Sequence, residues 1–248
     1  MIILKSAREI AIMREAGRIA ARVHEALREA IRPGVETREL DALADRLIRE
    51  AGGVPTFKGY HDYPASICTS VNEVVVHGIP SSRRLREGDI VAIDLGVTYQ
   101  GYVGDCAYTW PVGEVSDEAR RLLQVTQEAL QLAIEQCRPG RHLGDIGHAV
   151  QSHVEAAGFS VVREYVGHGI GASMHEDPQV PNYGQPGTGV VLRPGMVLAI
   201  EPMVNAGTWE VRVLPDRWTV VTADGRYSAH FEHTVAITEG DPLILTLP

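Results

Sequence analysis

The chain carries one segment twice. LREGDIVAIDLGV (85–97) and LRPGMVLAIEPMV (192–204) agree at six of 13 positions, 107 residues apart. Independently, IRPG (31–34) and CRPG (137–140) share an RPG at an offset of 106, and each precedes a helical stretch ending in REAGG or EAAGF. Two similar strand-turn signals would explain one of these matches but not their common offset. Internal similarity at a fixed spacing constrains the architecture before any local pattern does. The expectation is an α/β (α+β) chain in two pseudo-twofold-related halves, about 1–112 and 113–248, which together make a single domain over 1–248. A chain of 248 residues buries roughly 70–75% of its unfolded surface, which is enough for a sizeable core.

Local patterns fill in the elements. Residues 6–30 predict a helix, with Ser6 and Glu9 as a capping box and Ile10, Met13, Ile19 and Val23 on one face. Pro33-Gly34 ends it, and a second helix runs from Thr37 to Ala51 before Gly52-Gly53. Further helices are expected from Ser116 to Gln136 and over 143–157. Strands are expected over 66–76, 89–98 and 102–110, with 160–248 mostly β around a Gly/Pro-rich loop at 181–189.

The chemistry lies in carboxylates that interrupt apolar strands. Asp94 sits in VAIDLGV and Glu201 in LAIEPMV, at equivalent places in the repeat, and no Lys or Arg lies in either strand. A buried carboxylate is costly unless paired, protonated or bound to a metal. Residues 90–110 predict a hairpin with its turn at Tyr99-Gln100-Gly101. A two-residue loop at 99–100 pairs residues whose numbers sum to 199, which sets Asp94 opposite Asp105, and a three-residue loop shifts the register by one but keeps them close. Like charges so placed are destabilising, and a cation between them removes the conflict. Glu232, in FEHTVAI, follows an Asp224-Gly225 pair that signals a hairpin, and it reads as the counterpart of Asp105. His168 stands in GHGIG. Four carboxylates and one imidazole do not suit a closed structural zinc site. They suit a two-metal site with bridging carboxylates, and oxygen-rich ligation favours Mn²⁺, Fe²⁺ or Co²⁺.

Composition narrows the class. The net charge of −9 argues against a nucleic-acid-binding surface. Three widely spaced cysteines, Cys68, Cys106 and Cys137, form no CxxC, so a reducing, cytoplasmic setting is expected. The N-terminal residues do not read as a signal peptide, and no apolar run is long enough to span a bilayer.

As a set, HGIP (77–80), AIDLG (92–96), Asp105, GHGIG (167–171), MHE (174–176), AIEP (199–202) and FEHT (231–234) resemble the type I methionine aminopeptidases, along essentially the whole chain. The resemblance implies the pita-bread fold, with curved antiparallel sheets inside and helices outside. It implies removal of the initiator methionine when the second residue is small, by a metal-activated hydroxide at a dinuclear site. Asp94 would chelate one ion, Asp105 and Glu232 would bridge, and His168 and Glu201 would hold the other. The two divalent ions would be Co, Mn, Fe or Zn. Glu201 would shuttle the proton, His175 would hydrogen-bond the substrate amide and the tetrahedral intermediate, and His77 would act near the leaving group. Tyr60, Tyr63, Cys68, Met174 and Trp218 would line the methionine pocket, and Phe57 falls there where relatives often carry a smaller residue. Asn72, Val74 and Ser228 match a monovalent-cation site. The implied partners are N-termini of nascent polypeptides, at or near the ribosome, with no nucleic acid, no membrane and a monomeric chain. Prolidases and aminopeptidase P share the five ligands but usually carry a large N-terminal domain, whereas only about 90 residues precede Asp94. The type II enzymes carry a helical insertion for which the spacing leaves little room. Non-catalytic relatives of this fold typically lose ligands, and none is missing here.

Overall fold

The computed structural model describes residues 1–248. Four helices form where the apolar periodicity places them: α1 (Ala7–Ala30), α2 (Thr37–Glu50), α3 (Asp117–Glu135) and α4 (Leu143–Ala156). At the start of α1 the Ser6 hydroxyl accepts from Glu9 N while Ser6 N donates to the Glu9 carboxylate at 2.7 Å, so two otherwise unpaired donors are satisfied. Ser116 caps α3 by accepting from Ala119 N.

One nine-stranded antiparallel sheet runs through both halves. Its main path is Val54–Pro55, Ile90–Tyr99, Tyr102–Pro111, Glu232–Ala236, Val197–Ile200, Gly167–Gly169 and Glu176–Val180. Cys68–Val71 pairs with Ile90–Tyr99, and Leu243–Ile244 with Glu232–Ala236. Alternation decides which side chains meet the helices. Val91, Ile93, Leu95 and Val97 join a core with α1 and α2, while Leu198, Ile200 and Val235 join a second core with α3 and α4. Residues between them face the other way. Helix α1 lies close to Tyr102–Pro111: a Cβ on Gly104 would fall 2.6 Å from Gly17 N. With curved antiparallel strands inside and helices outside each half, the architecture is the pita-bread fold.

Three details differ from the sequence-based expectations. The stretch 66–76 forms two strands, Cys68–Val71 and Val74–Val76, because Asn72 adopts φ 58° and breaks the pairing. The hairpin turns on Gln100-Gly101, both at positive φ (48° and 84°), the backbone that a two-residue primed turn needs. Tyr99 therefore pairs with Tyr102, and Asp94 with Ala107 rather than Asp105. Asp105 faces Gly96, two places along on the same face, so the two carboxylates are diagonal neighbours. Asp224-Gly225 does turn the chain, but it joins no hairpin. Val220–Thr222 pairs with Val211–Val213 and Val74–Val76, whereas Ser228–His230 pairs with Met203–Asn205.

Candidate metal centre and substrate cavity

Two neighbouring rows across the sheet build the site. In the first, Cys68 pairs with Asp94, Asp94 with Ala107, and Ala107 with Glu232. The register that pairs His233 with Ile200 carries Glu201 to the next place beyond Glu232. The second row, two residues along and on the same face, holds Gly96, Asp105, Thr234, Ala199 and His168. Ala107, Gly96, Thr234 and Ala199 are small and leave open space above the sheet between the charged residues. Threonine hydroxyls lock the junction between the halves. Asp105 N donates to Thr234 Oγ1 (3.0 Å), which donates back to Asp105 O (2.8 Å). His230 N donates to Thr109 Oγ1 (2.9 Å), which donates back to His230 O (2.7 Å).

This register also corrects the equivalence within the repeat. Asp94 opposes Ala107, and its mate Glu201 stands opposite Glu232, so Glu232 matches Ala107. Asp105 opposes Gly96, whose mate is Met203, and Met203 pairs with His230. The counterpart of Asp105 is therefore His230, not Glu232.

The rows open into a cavity of about 420 Å³. Asp94, Asp105, Glu201, Glu232 and His168 line its floor, with His77 and His175 beside them and Phe57, Tyr60, Tyr63, Cys68, Met174 and Trp218 forming its apolar part. Every residue expected at the metal site or methionine pocket is thus brought together. Asn72, Val74 and Ser228 lie outside this cavity: Ser228 N donates to Asn72 O at 2.8 Å and Val74 pairs with Val221. Sequence reasoning missed His61, which also lines the cavity, and His230, which is 1% exposed behind the carboxylates. Period-2 spacing from Glu232 was the available signal for His230.

The floor is electrostatically unbalanced without a cation. No Lys or Arg lines the cavity. Burial raises the Asp94 carboxyl to about 7. Burial together with neighbouring carboxylates pushes Asp105, Glu201 and Glu232 well above the ordinary range. Asp94 Oδ1, Asp105 Oδ1 and Glu232 Oε1 are buried without a hydrogen-bond partner. Asp105, His168 and Glu232 present donor atoms within 4.8 Å of one another. His168 Nδ1 lies 2.8 Å from Gly169 O, which only accepts, so Nδ1 carries the proton and Nε2 keeps its lone pair. Burial lowers His168 to about 4, leaving it neutral. Unpartnered buried oxygens, a neutral imidazole and no competing cation are the donor set a divalent metal requires.

The surrounding groups are held from outside. The Tyr60 hydroxyl is 2.8 Å from His175 Nδ1. Glu176 accepts from Ser173 N at 3.2 Å and from buried Lys5 Nζ at 2.5 Å, which anchors the segment bearing Met174 and His175. Burial holds His77 at about 4, and its backbone has φ 59°, a conformation that costs a non-glycine residue of order 1–2 kcal/mol and recurs at functional sites. Tyr63 donates to Ile67 O (3.1 Å) or Gly78 O (3.2 Å), and its ring meets Trp218 edge-on at 5.0 Å. Phe57 packs over Gly96, where a Cβ would come within 2.9 Å of its ring.

The profile of Metallopeptidase family M24 matches residues 11–239, and the chain belongs to that family. Within it, the similarity is to methionine aminopeptidases over the full length. Methionine aminopeptidase 1 of Bacillus subtilis (strain 168) is 57% identical over 246 residues, covering 99% of each chain. The methionine aminopeptidase of Escherichia coli (strain K12) is 49% identical, covering 99% of this chain and 94% of that one. The crystal structure of methionine aminopeptidase from Thermotoga maritima superposes with a TM-score of 0.99 at 49% identity, over 100% of both chains. A prolidase from Pyrococcus horikoshii OT3 is similar at a lower level, with a TM-score of 0.78, 27% identity and 64% of its own length covered. No helix is long and apolar enough to cross a membrane.

Proposed function

We propose that this chain removes the N-terminal methionine from polypeptides whose second residue is small. The observation that carries the reading is the meeting of four carboxylates and a neutral imidazole with an apolar, aromatic slot in one cavity. Asp94 would chelate one ion, Asp105 and Glu232 would bridge, and His168 and Glu201 would hold the second. Divalent ions held there acidify water and polarise a carbonyl. Glu201 accepts the proton released by the attacking water and passes it to the departing amine. The Tyr60 hydroxyl lies 2.8 Å from His175 Nδ1; with Tyr60 as the donor, His175 Nε2–H is free to donate to the developing oxyanion. His77, neutral at pH 7, stands beside the leaving group. Supporting a reducing setting, all three cysteines are free and buried. The net charge of −9 supports a chain that does not grip nucleic acid, and its substrates are the N-termini of nascent polypeptides. We read residues 1–248 as a monomeric, single catalytic domain in cytoplasm.

His175→Ala is expected to lower kcat by about 10²–10³-fold, the loss for one oxyanion donor, with divalent-metal content unchanged. Loss of metal with unchanged turnover per loaded enzyme would make His175 a ligand instead.

Selectivity tests the slot. An unbranched thioether makes soft contacts with aromatic rings, so Tyr63, Cys68, Met174 and Trp218 should favour methionine. Leucine should fall behind by about 1–3 kcal/mol in kcat/KM, the worth of a misplaced methyl group, and lysine further. Equal kcat/KM for Met-, Leu- and Lys-terminated peptides would indicate a general aminopeptidase. Preference for x-Pro over Met-Ala-x peptides would indicate a prolidase.

A further inference from the structure

His230 has no role in the reaction just described, yet its position is specific. It is the pseudo-twofold mate of Asp105 and flanks the row Asp94–Ala107–Glu232–Glu201 on the side opposite His168. Its backbone is clamped in both directions by Thr109. Its Nε2 is buried and has no hydrogen-bond partner. That atom lies 3.7 Å from Glu201 Oε2 and 3.8 Å from Glu232 Oε2. On the other side, His168 Nε2 lies 3.5 Å from Glu201 Oε1. The Glu201 carboxylate therefore sits between two imidazoles, one facing each oxygen.

The two imidazoles are not equivalent. His168 lines the cavity and His230 does not. Glu201, His230 and Glu232 also present donor atoms within 4.8 Å of one another, but a ligand to an ion that reaches substrate must face the cavity, which His230 does not line. A buried ring nitrogen left unpaired is costly, and a hydrogen bond to the Glu201 carboxylate removes that cost. We propose that His230 is a positioning residue: its Nε2–H donates to Glu201 Oε2, which commits Oε1 to the metal side shared with His168. The inference rests on the proposed metal centre and adds a residue to it. Partners of this kind that orient metal ligands change affinity by about 10–100-fold when lost.

The test compares His230→Gln, which keeps an N–H donor of similar reach, with His230→Leu and His230→Asn, which lack either the donor or the reach. Divalent affinity is measured by Mn²⁺ titration calorimetry, and the coordination sphere by the visible absorption of the Co²⁺ form. Expected is a 10–100-fold weaker affinity and a shifted Co²⁺ spectrum for Leu and Asn, with both near wild type for Gln. Melting temperature and KM should move little. Because Asn preserves polarity, it keeps the comparison open if Leu fails to fold. Wild-type affinity and spectrum in both Leu and Asn variants would overturn the role. So would a third bound ion in wild type that the Asn variant loses, since His230 would then be a ligand. A wild-type protein that binds no divalent ion would overturn the metal centre itself, a result distinct from either.

Discussion

Asp105→Ala should lower kcat/KM by on the order of 10³-fold or more while leaving the metal-free fold at least as stable as before. The activity loss follows from removing a proposed bridging ligand: Lewis-acid stabilisation is worth several kcal/mol, and each 1.36 kcal/mol is tenfold in rate. The stability outcome has the opposite sign because Asp105 is 2% exposed and is crowded by the charges of Glu232 and Asp94. In metal-free protein its carboxylate is a burden, so the melting temperature of stripped Asp105→Ala should equal or exceed that of stripped wild type at pH 8. Thr234, whose hydroxyl bonds the Asp105 backbone, keeps both its partners. The strand junction therefore survives the substitution. Turnover on a Met-Ala-x peptide and metal content of the loaded variant, with a thermal melt of the same preparation after stripping, decide it. Near-wild-type turnover with the same metal would end the two-metal reading. Collapse of the fold would mean that Asp105 is structural.

That opposition of activity and stability was partly readable in the sequence. VAIDLGV and LAIEPMV each place a carboxylate in an apolar strand, and strand alternation puts Val91, Ile93, Leu95 and Val97 on the helix side and Asp94 on the other. Helix positions were readable because caps and breakers such as Ser6, Ser116 and Pro139-Gly140 are local. Register was not, since it depended on which two residues occupy the left-handed region. Gln100 at φ 48° is a conformation for which its side chain gives no signal. One turn residue displaced Asp105 by two places and hid the equivalence of Asp105 with His230. His61 was hidden for a similar reason. Its exposure to the cavity depends on positive φ at His61 and Asp62, 47° and 67°, in a loop with no periodicity to read.

Stripping the divalent ions should destabilise the protein by an amount that grows with pH. The Asp94 carboxyl stands at about 7 in the folded chain against an ordinary 3.8. A group whose folded pKa is raised binds its proton more tightly when folded. Its stabilising contribution is complete below about pH 4 and is lost as pH rises through 7. Asp105, Glu201 and Glu232 shift in the same direction, so the four carboxylates lose this contribution together. Bound cations take over what the protons did, so loaded protein keeps its stability at pH 8. An opposing trend comes from His24, which is buried behind the sheet with Nε2 donating to Cys106 O at 3.0 Å and is lowered to about 4. Its neutral form is the one that folds, so it costs stability as pH falls from about 6.5 toward 4 in loaded and stripped protein alike. Subtracting one melt from the other therefore cancels His24 and isolates the carboxylates. The gap should be smallest at pH 5 and widen toward pH 8, each kcal/mol of it worth about 2–4 °C for a chain of this size. It should shrink in Asp94→Asn, which carries no titrating carboxyl at that position. A gap that is constant from pH 5 to 8, or that widens toward acid, would show that the buried carboxylates are neutralised by something other than protons and divalent ions.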